Sequence, residues 1–271
     1  MTVAAAPGAG TVRWPWRYWT RQAAWAVVDL VFPPQCAGCQ RPGQRFCSDC
    51  QAHCAPLAPP WCDLCGYPIE RAGVCERCQT ESPSLGALAG VRSAAFHAGP
   101  PREAVLRLKY HQDGILADSL ARLLLAATPS AAPAGSRVMA VPLAPSRLAE
   151  RGYNQAALLA RAYAELSGRP LAAGGVCRVR DTQSQVGLSV PERHRNVAGA
   201  FAAEPRVAAG QTIILIDDVC TTGATLNACA MALRAAGAAQ VWGLTLTRAR
   251  RADEDWSRAA DAAPGQAGAA L

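Results

Sequence analysis

The chain has 271 residues, 51% of them hydrophobic, and a formal charge of +7. That length holds one core of moderate size and a smaller appendage. No run of about twenty apolar residues escapes a charge or a proline, which argues against a membrane span. The modest positive charge fits an anionic small molecule or nucleic acid without choosing between them. The start of the chain lacks the basic, apolar, small-residue order of a secretory leader, so a cytoplasmic setting with reduced thiols is expected.

Residues 1–32 open Ala-, Gly- and Pro-rich and are expected to be disordered at first. Trp25, Val28 and Phe32 then follow helical spacing, which predicts a short amphipathic helix that docks on the rest of the chain. Nine of the twelve cysteines crowd into the next stretch, 33–80, as Cys36-x2-Cys39, Cys47-x2-Cys50, Cys62-x2-Cys65 and Cys75-x2-Cys78, with Cys54 besides. In a reducing compartment such pairs are zinc knuckles, since tetrahedral zinc takes two thiolates from each of two tight turns. Pairing in order gives one zinc on Cys36, Cys39, Cys47 and Cys50 and another on Cys62, Cys65, Cys75 and Cys78. A crossed pairing, or a ligand swap with His53 or Cys54, fits the spacing too. The segment has few large apolar residues, and structural zinc supplies on the order of 10 kcal/mol of folding free energy to such domains.

A linker over 81–86 leads to a second domain, 87–248. A strand is expected at Val91–His97, then a helix opened by Pro100 and Pro101 and running to Tyr110, and another over Leu116–Ala127. Lys109, the only lysine in an arginine-rich chain, is a candidate functional residue. His97 and His111 read as ordinary residues. A short strand at Arg137–Val141 is followed by V-P-L-A-P-S-R-L-A-E-R-G-Y-N-Q-A, whose Arg147 and Arg151 are expected in an open strand-to-helix turn, where guanidinium forks suit a diphosphate. The polar segment 178–201 is expected to act as a closing lid with donors from Gln183, Gln185, Arg193 and Arg195.

The stretch with the most chemistry is Ile213–Thr225, I-I-L-I-D-D-V-C-T-T-G-A-T. Its apolar block reads as a strand covered on both faces of a parallel sheet and ending at Asp217 and Asp218, beyond which such sheets open their ligand crevice. Thr221, Thr222, Gly223, Ala224 and Thr225 form a small, hydroxylated turn. A helix should then run from near Thr225 to Gly237. Its N-terminus makes an anion site, and the carboxylates suit sugar hydroxyls or magnesium. A buried strand ending in a helix-capping acid pair is the other reading. A last strand is expected at Val241–Thr247, before a tail at 249–271.

The run I-L-I-D-D-V-x-T-T-G-A-T resembles the phosphoribosyl-diphosphate (PRPP) loop of type I phosphoribosyltransferases. That resemblance implies an α/β fold with a doubly wound, mainly parallel sheet. It places the ribose 2′ and 3′ hydroxyls on Asp217 and Asp218, and the 5′-phosphate on Thr221, Thr222, Gly223, Ala224 and Thr225. With F-P-P-x-C-x-x-C, the four knuckle pairs, G-P-P-R-E-A-V-L-R-L-K-Y, V-P-L-x-P-x-R-L-x-x-R-G-Y-N-Q-A and R-x-R-D-T-x-x-Q-x-G-L in order, residues 30–248 resemble the ComF family of competence-associated phosphoribosyltransferase-like proteins. The resemblance implies a double zinc ribbon joined to a PRPP site that works with Mg2+. The unknown acceptor would be a nitrogen nucleophile such as a nucleobase, and single-stranded DNA or competence proteins would be partners. Lys109, Arg147, Arg151 and Arg193 would then stabilise the departing diphosphate. The alternative is a non-catalytic PRPP sensor, or an adaptor that docks through the ribbon.

Overall fold

The computed structural model describes residues 33–54, 57–80, 85–110, 114–182 and 189–251. The amphipathic helix expected before residue 33, His111, Gln183, Gln185 and the tail beyond residue 251 lie outside them.

In the cysteine-rich segment two short helices, α1 (Ser48–Ala52) and α2 (Glu76–Thr80), each carry the last cysteine of a knuckle. The chain continues as β1 (Gly90–Phe96), α3 (Gly99–Tyr110), α4 (Leu116–Ala126), β2 (Arg137–Ala140), α5 (Pro145–Arg151), α6 (Gln155–Ser167) and β3 (Val176–Arg178). Then come α7 (Val190–Val197), β4 (Phe201–Ala203), α8 (Pro205–Ala208), β5 (Thr212–Cys220), α9 (Ala224–Ala235) and β6 (Gln240–Arg248).

Four strands in the order β1-β6-β5-β2 make the main sheet, with every neighbouring pair parallel. Parallel neighbours need crossover connections, which here are helical and leave both faces covered. Ile213, Ile214, Leu215 and Ile216 of β5 are each 0% exposed, and alternation divides them between the two faces. Ile214 and Ile216 join α4 and α6 through residues such as Leu120, Leu124, Leu159 and Tyr163. Ile213 and Leu215 join Leu226, Cys229 and Leu233 of α9. β3 and β4 form a separate antiparallel pair, and both β4 and α7 pack against α9.

Two local expectations differ from the fold. β5 does not stop at the acid pair but continues to Cys220, because Val219 and Cys220 find ladder partners in Thr247 and Arg248 of β6. Arg147 and Arg151 do not stand in an open turn. They lie on α5, a helix with proline in its first turn and closed by Gly152 at φ 76°, since proline is pre-set for a helix start and glycine for a left-handed end.

The knuckles are built into this core rather than set apart from it. Cys36, Ala37, Phe46 and Cys50 of the first are buried with Ala104 and Leu108 of α3. Cys62, Cys65, Tyr67 and Cys75 of the second are buried with Val91 and Phe96 of β1. Val91 N–H donates to the Leu64 carbonyl at 2.8 Å, and a Cβ on Gly66 would sit 2.0 Å from the Val91 carbonyl oxygen. The second knuckle therefore touches β1 backbone to backbone.

Candidate functional site

The carboxyl end of β5 gathers the site. Because successive side chains leave a strand on opposite faces, Asp217 and Asp218 separate. Asp218 is buried on the side of α3 and α6, where Lys109 Nζ lies 3.0 Å from its Oδ2 and Gln155 Nε2 donates to the same oxygen at 3.3 Å. Asp217 lies on the side of α9, close enough to Cys229 and Arg178 to perturb both electrostatically. Burial, and then the neighbouring charge of Asp218, hold the Asp217 carboxyl well above the ordinary carboxylate range, although it accepts the Asp218 backbone N–H at 2.9 Å.

The R-G-Y-N-Q run is what brings α6 to the acids. Gly152 ends α5, and the Tyr153 hydroxyl donates to the Leu108 carbonyl of α3. Asn154 caps α6 by accepting the Ala156 N–H at 2.9 Å, and its amide donates to the Val141 carbonyl beyond β2 at 3.0 Å. With the cap so tied, Gln155 is the first helical residue and reaches Asp218. Arg151 donates to the Gln155 Oε1 at 3.2 Å and stacks 5.1 Å from the centre of the Tyr110 ring. Arg151, Gln155, Asp218 and Lys109 thus form one polar chain.

After β5 the turn holds Thr221 exposed and Thr222 and Thr225 half-buried. Thr222 Oγ1 accepts the Ala224 N–H at 3.3 Å. Gly223 has φ 80° and caps α9. Its left-handed backbone angle favours glycine, and a Cβ there would come within 2.5 Å of the Leu85 side-chain tip, so the turn lies against the segment entering β1. The expected helix over 225–237 is observed as Ala224–Ala235, and its positive dipole end meets the threonine-rich turn.

The structure thus brings together Asp217, Asp218, Lys109, Arg151 and residues 221–225. Arg147 stands exposed on α5, 3.0 Å from Glu150, and Arg193 is half-buried on α7. Two further residues belong at the site. Gln155 had a faint signal, a polar side chain next to a helix cap in an otherwise Ala- and Leu-rich run. His97, just past β1, had none: its Nδ1 lies 2.9 Å from Thr247 Oγ1, which donates to the Asp218 carbonyl at 3.3 Å. Burial, and then Lys109, lower the His97 pKa below its ordinary 6.5, so its ring is neutral near pH 7.

The cysteines resolve into two quartets paired in order. The sulfurs of Cys36, Cys39, Cys47 and Cys50 lie within 4.8 Å of one another, as do those of Cys62, Cys65, Cys75 and Cys78. Backbone N–H groups of Gly38 and Cys47 point at Cys36 Sγ, and those of Cys65 and Cys75 at Cys62 Sγ, at 3.3–3.5 Å, as turns built for thiolates require. The other two candidates are engaged elsewhere. His53 Nδ1 is 2.6 Å from the Asp49 carbonyl, and Cys54 donates to the Cys50 carbonyl, its thiol pushed up to about 11 by burial. Four thiolates per ion leave no position for water, so such zinc is structural.

A family model described as a double zinc ribbon domain matches residues 27–79, and one described as a phosphoribosyl transferase domain matches residues 170–261. The DNA utilization protein YhgH of Salmonella typhi is 34% identical over 80% of this chain and 99% of its own length. Competence protein F of Haemophilus influenzae is 32% identical over 73% of this chain and 89% of its own. Competence protein ComFC of Bacillus subtilis is 30% identical over 77% and 86%. With an ordered pair of cysteine quartets, a parallel sheet and this span of similarity, the chain belongs to the ComF family of competence proteins with a double zinc ribbon and a phosphoribosyltransferase-like domain.

Proposed function

We propose that the site binds PRPP with Mg2+ and transfers its phosphoribosyl group to a nitrogen acceptor such as a nucleobase. The observation that supports this best is that β5 ends in two successive acids and runs directly into a threonine-glycine turn that opens α9, a sequence of groups suited to sugar hydroxyls and then to a phosphate. Asp217 and Asp218 orient the ribose; Thr221, Thr222, Gly223, Ala224 and Thr225 take the 5′-phosphate. Lys109 and Arg151, with Arg147 and Arg193, neutralise the diphosphate as the C1–O bond breaks and the nitrogen bonds to C1. The hard oxygen donors at the strand end suit Mg2+, which would supply charge neutralisation at the diphosphate.

The names of the relatives point to DNA utilization and competence, and a role in handling DNA or competence proteins follows for this chain as part of the proposal. A second reading, a PRPP sensor that docks on single-stranded DNA, draws on Arg92 stacked 5.4 Å from the Trp61 ring beside the second knuckle. Calorimetry with PRPP and Mg2+, followed by diphosphate release across a set of nucleobases, separates the two. Transfer predicts release that an Asp217→Asn, Asp218→Asn double variant abolishes; the sensor predicts heat without release. No heat from zinc-loaded, folded protein rejects both.

A further inference from the structure

The contact between the second knuckle and the phosphate turn has no part in the reading above. Arg248, the last residue of β6, is only 5% exposed. One of its terminal nitrogens, Nη1, donates to the carbonyl of Cys65, a cysteine of the second quartet, and also lies 3.4 Å from Cys220 Sγ. Cys220 ends β5 directly before Thr221, and its carbonyl accepts the Ala249 N–H at 2.9 Å. The guanidinium also lies 5.4 Å from the Tyr67 ring, against which Arg251 stacks at 4.0 Å while donating to Cys75 Sγ at 3.2 Å. Arg248 Nε has no partner among the described residues. A buried cation with an unmet donor is costly, so its place depends on the carbonyl that the knuckle presents.

A second tie runs along the segment entering β1. Leu85 packs on Gly223, and Ala87 N–H donates to Asn227 Oδ1 in the first turns of α9 at 3.1 Å. The first quartet packs on the other face, with α3 and α4, away from the turn.

We propose that Arg248 is a positioning residue that couples the second zinc site to the phosphate turn, so that zinc on Cys62, Cys65, Cys75 and Cys78 and the sugar phosphate strengthen each other's binding while the first zinc site stays uncoupled. The proposal rests on the PRPP reading. Without zinc the Cys65 turn relaxes, Arg248 loses its acceptor, and the strand end beneath Thr221 loses its brace. Reciprocity of linked binding then requires that the sugar phosphate slow zinc loss.

The test uses the full chain loaded with zinc and a chromophoric chelator in excess, with and without PRPP and Mg2+. One of the two zinc equivalents should leave about tenfold more slowly when PRPP is present, within the roughly 5- to 150-fold range of such couplings, and the other at an unchanged rate. Arg248→Met should remove the difference and weaken PRPP binding by a similar factor, with Arg248→Lys between it and the natural protein. Release unaffected by PRPP that calorimetry shows to be bound, or slowed equally for both equivalents, overturns the coupling alone. Absence of PRPP heat overturns the PRPP reading and the coupling with it. The unmodified protein decides the matter even if Arg248→Met fails to fold.

Discussion

Asp217 is held at a cost to stability. Its folded pKa lies above the ordinary 3.8 because burial and Asp218 both oppose its charge. The folded state therefore binds this proton more tightly than the unfolded chain does, and stability falls as pH rises from about 3.8 through the folded pKa. Asp217→Asn removes that penalty and can still accept the Asp218 N–H. The variant should melt above the natural protein at pH 7 and above, with the gain shrinking as pH falls toward 3.8; thermal unfolding of zinc-loaded samples across pH checks this. An equal or lower melting temperature at pH 7 would show that the carboxylate is accommodated without strain.

Lys109 has the opposite role. Its partner Asp218 is buried and the lysine itself largely so, and removing one member of a buried pair leaves an uncompensated charge. Lys109→Met should cost about 3 kcal/mol in urea unfolding, the low end for such a loss because Gln155 still donates. Adding Asp218→Asn should restore much of it. A cost under about 1 kcal/mol would place the pair among weak surface bridges. Lys109 stood out in the sequence as the only lysine. Its partner was not, since nothing in the local pattern links α3 to the end of β5.

At the scale of elements, Gly66 lies close against β1. An alanine there would take a left-handed backbone at φ 70° and drive its Cβ to 2.0 Å from the Val91 carbonyl oxygen. Gly66→Ala should destabilise by more than the roughly 1–2 kcal/mol of a left-handed alanine alone, and chelator titration should show the second zinc leaving first. At Gly73, φ 133° with open space around it, alanine meets backbone strain without the collision and should lose zinc less readily than Gly66→Ala. The same loss from both variants would mean that the contact with β1 carries no weight. The R-G-Y-N-Q run works in a comparable way. Its cap and its tyrosine fix α6 against α3 and β2 so that Gln155 arrives at Asp218, a contact that the sequence, which singled out only the arginines of this run, did not show.

For the whole molecule, the two knuckles are buried on different parts of one core: Phe46 and Cys50 beside α3, Tyr67 and Cys65 beside β1. A piece comprising residues 87–251 would expose Val91, Phe96, Ala104 and Leu108 to water. It should therefore fail to give a cooperative thermal transition, whereas an independent domain would keep one. Stripping zinc from the full chain should lower the stability of the sheet as well as that of the ribbon, read by hydrogen exchange in β1 and β6. Protection there that ignores zinc would show the modules to be separable. Among the described residues no helix is long and apolar enough to cross a membrane.

What the sequence determined by itself was local. The apolar block of β5, the turn at Gly223, the helix after it and the four C-x-x-C pairs all follow from spacing within a few tens of residues, where backbone propensity, turn chemistry and ligand geometry act; which pairs share an ion was settled only by the fold. Tertiary structure alone decided which side chains face one another. Parallel pairing carries β5 past its acids because β6 extends beside it. Strand alternation sends Asp217 and Asp218 to opposite faces, and the crossovers bring Lys109, Gln155, His97 and Arg248 to one strand end. Such meetings depend on the packing of distant elements on a common sheet, and no pattern of neighbouring residues encodes them.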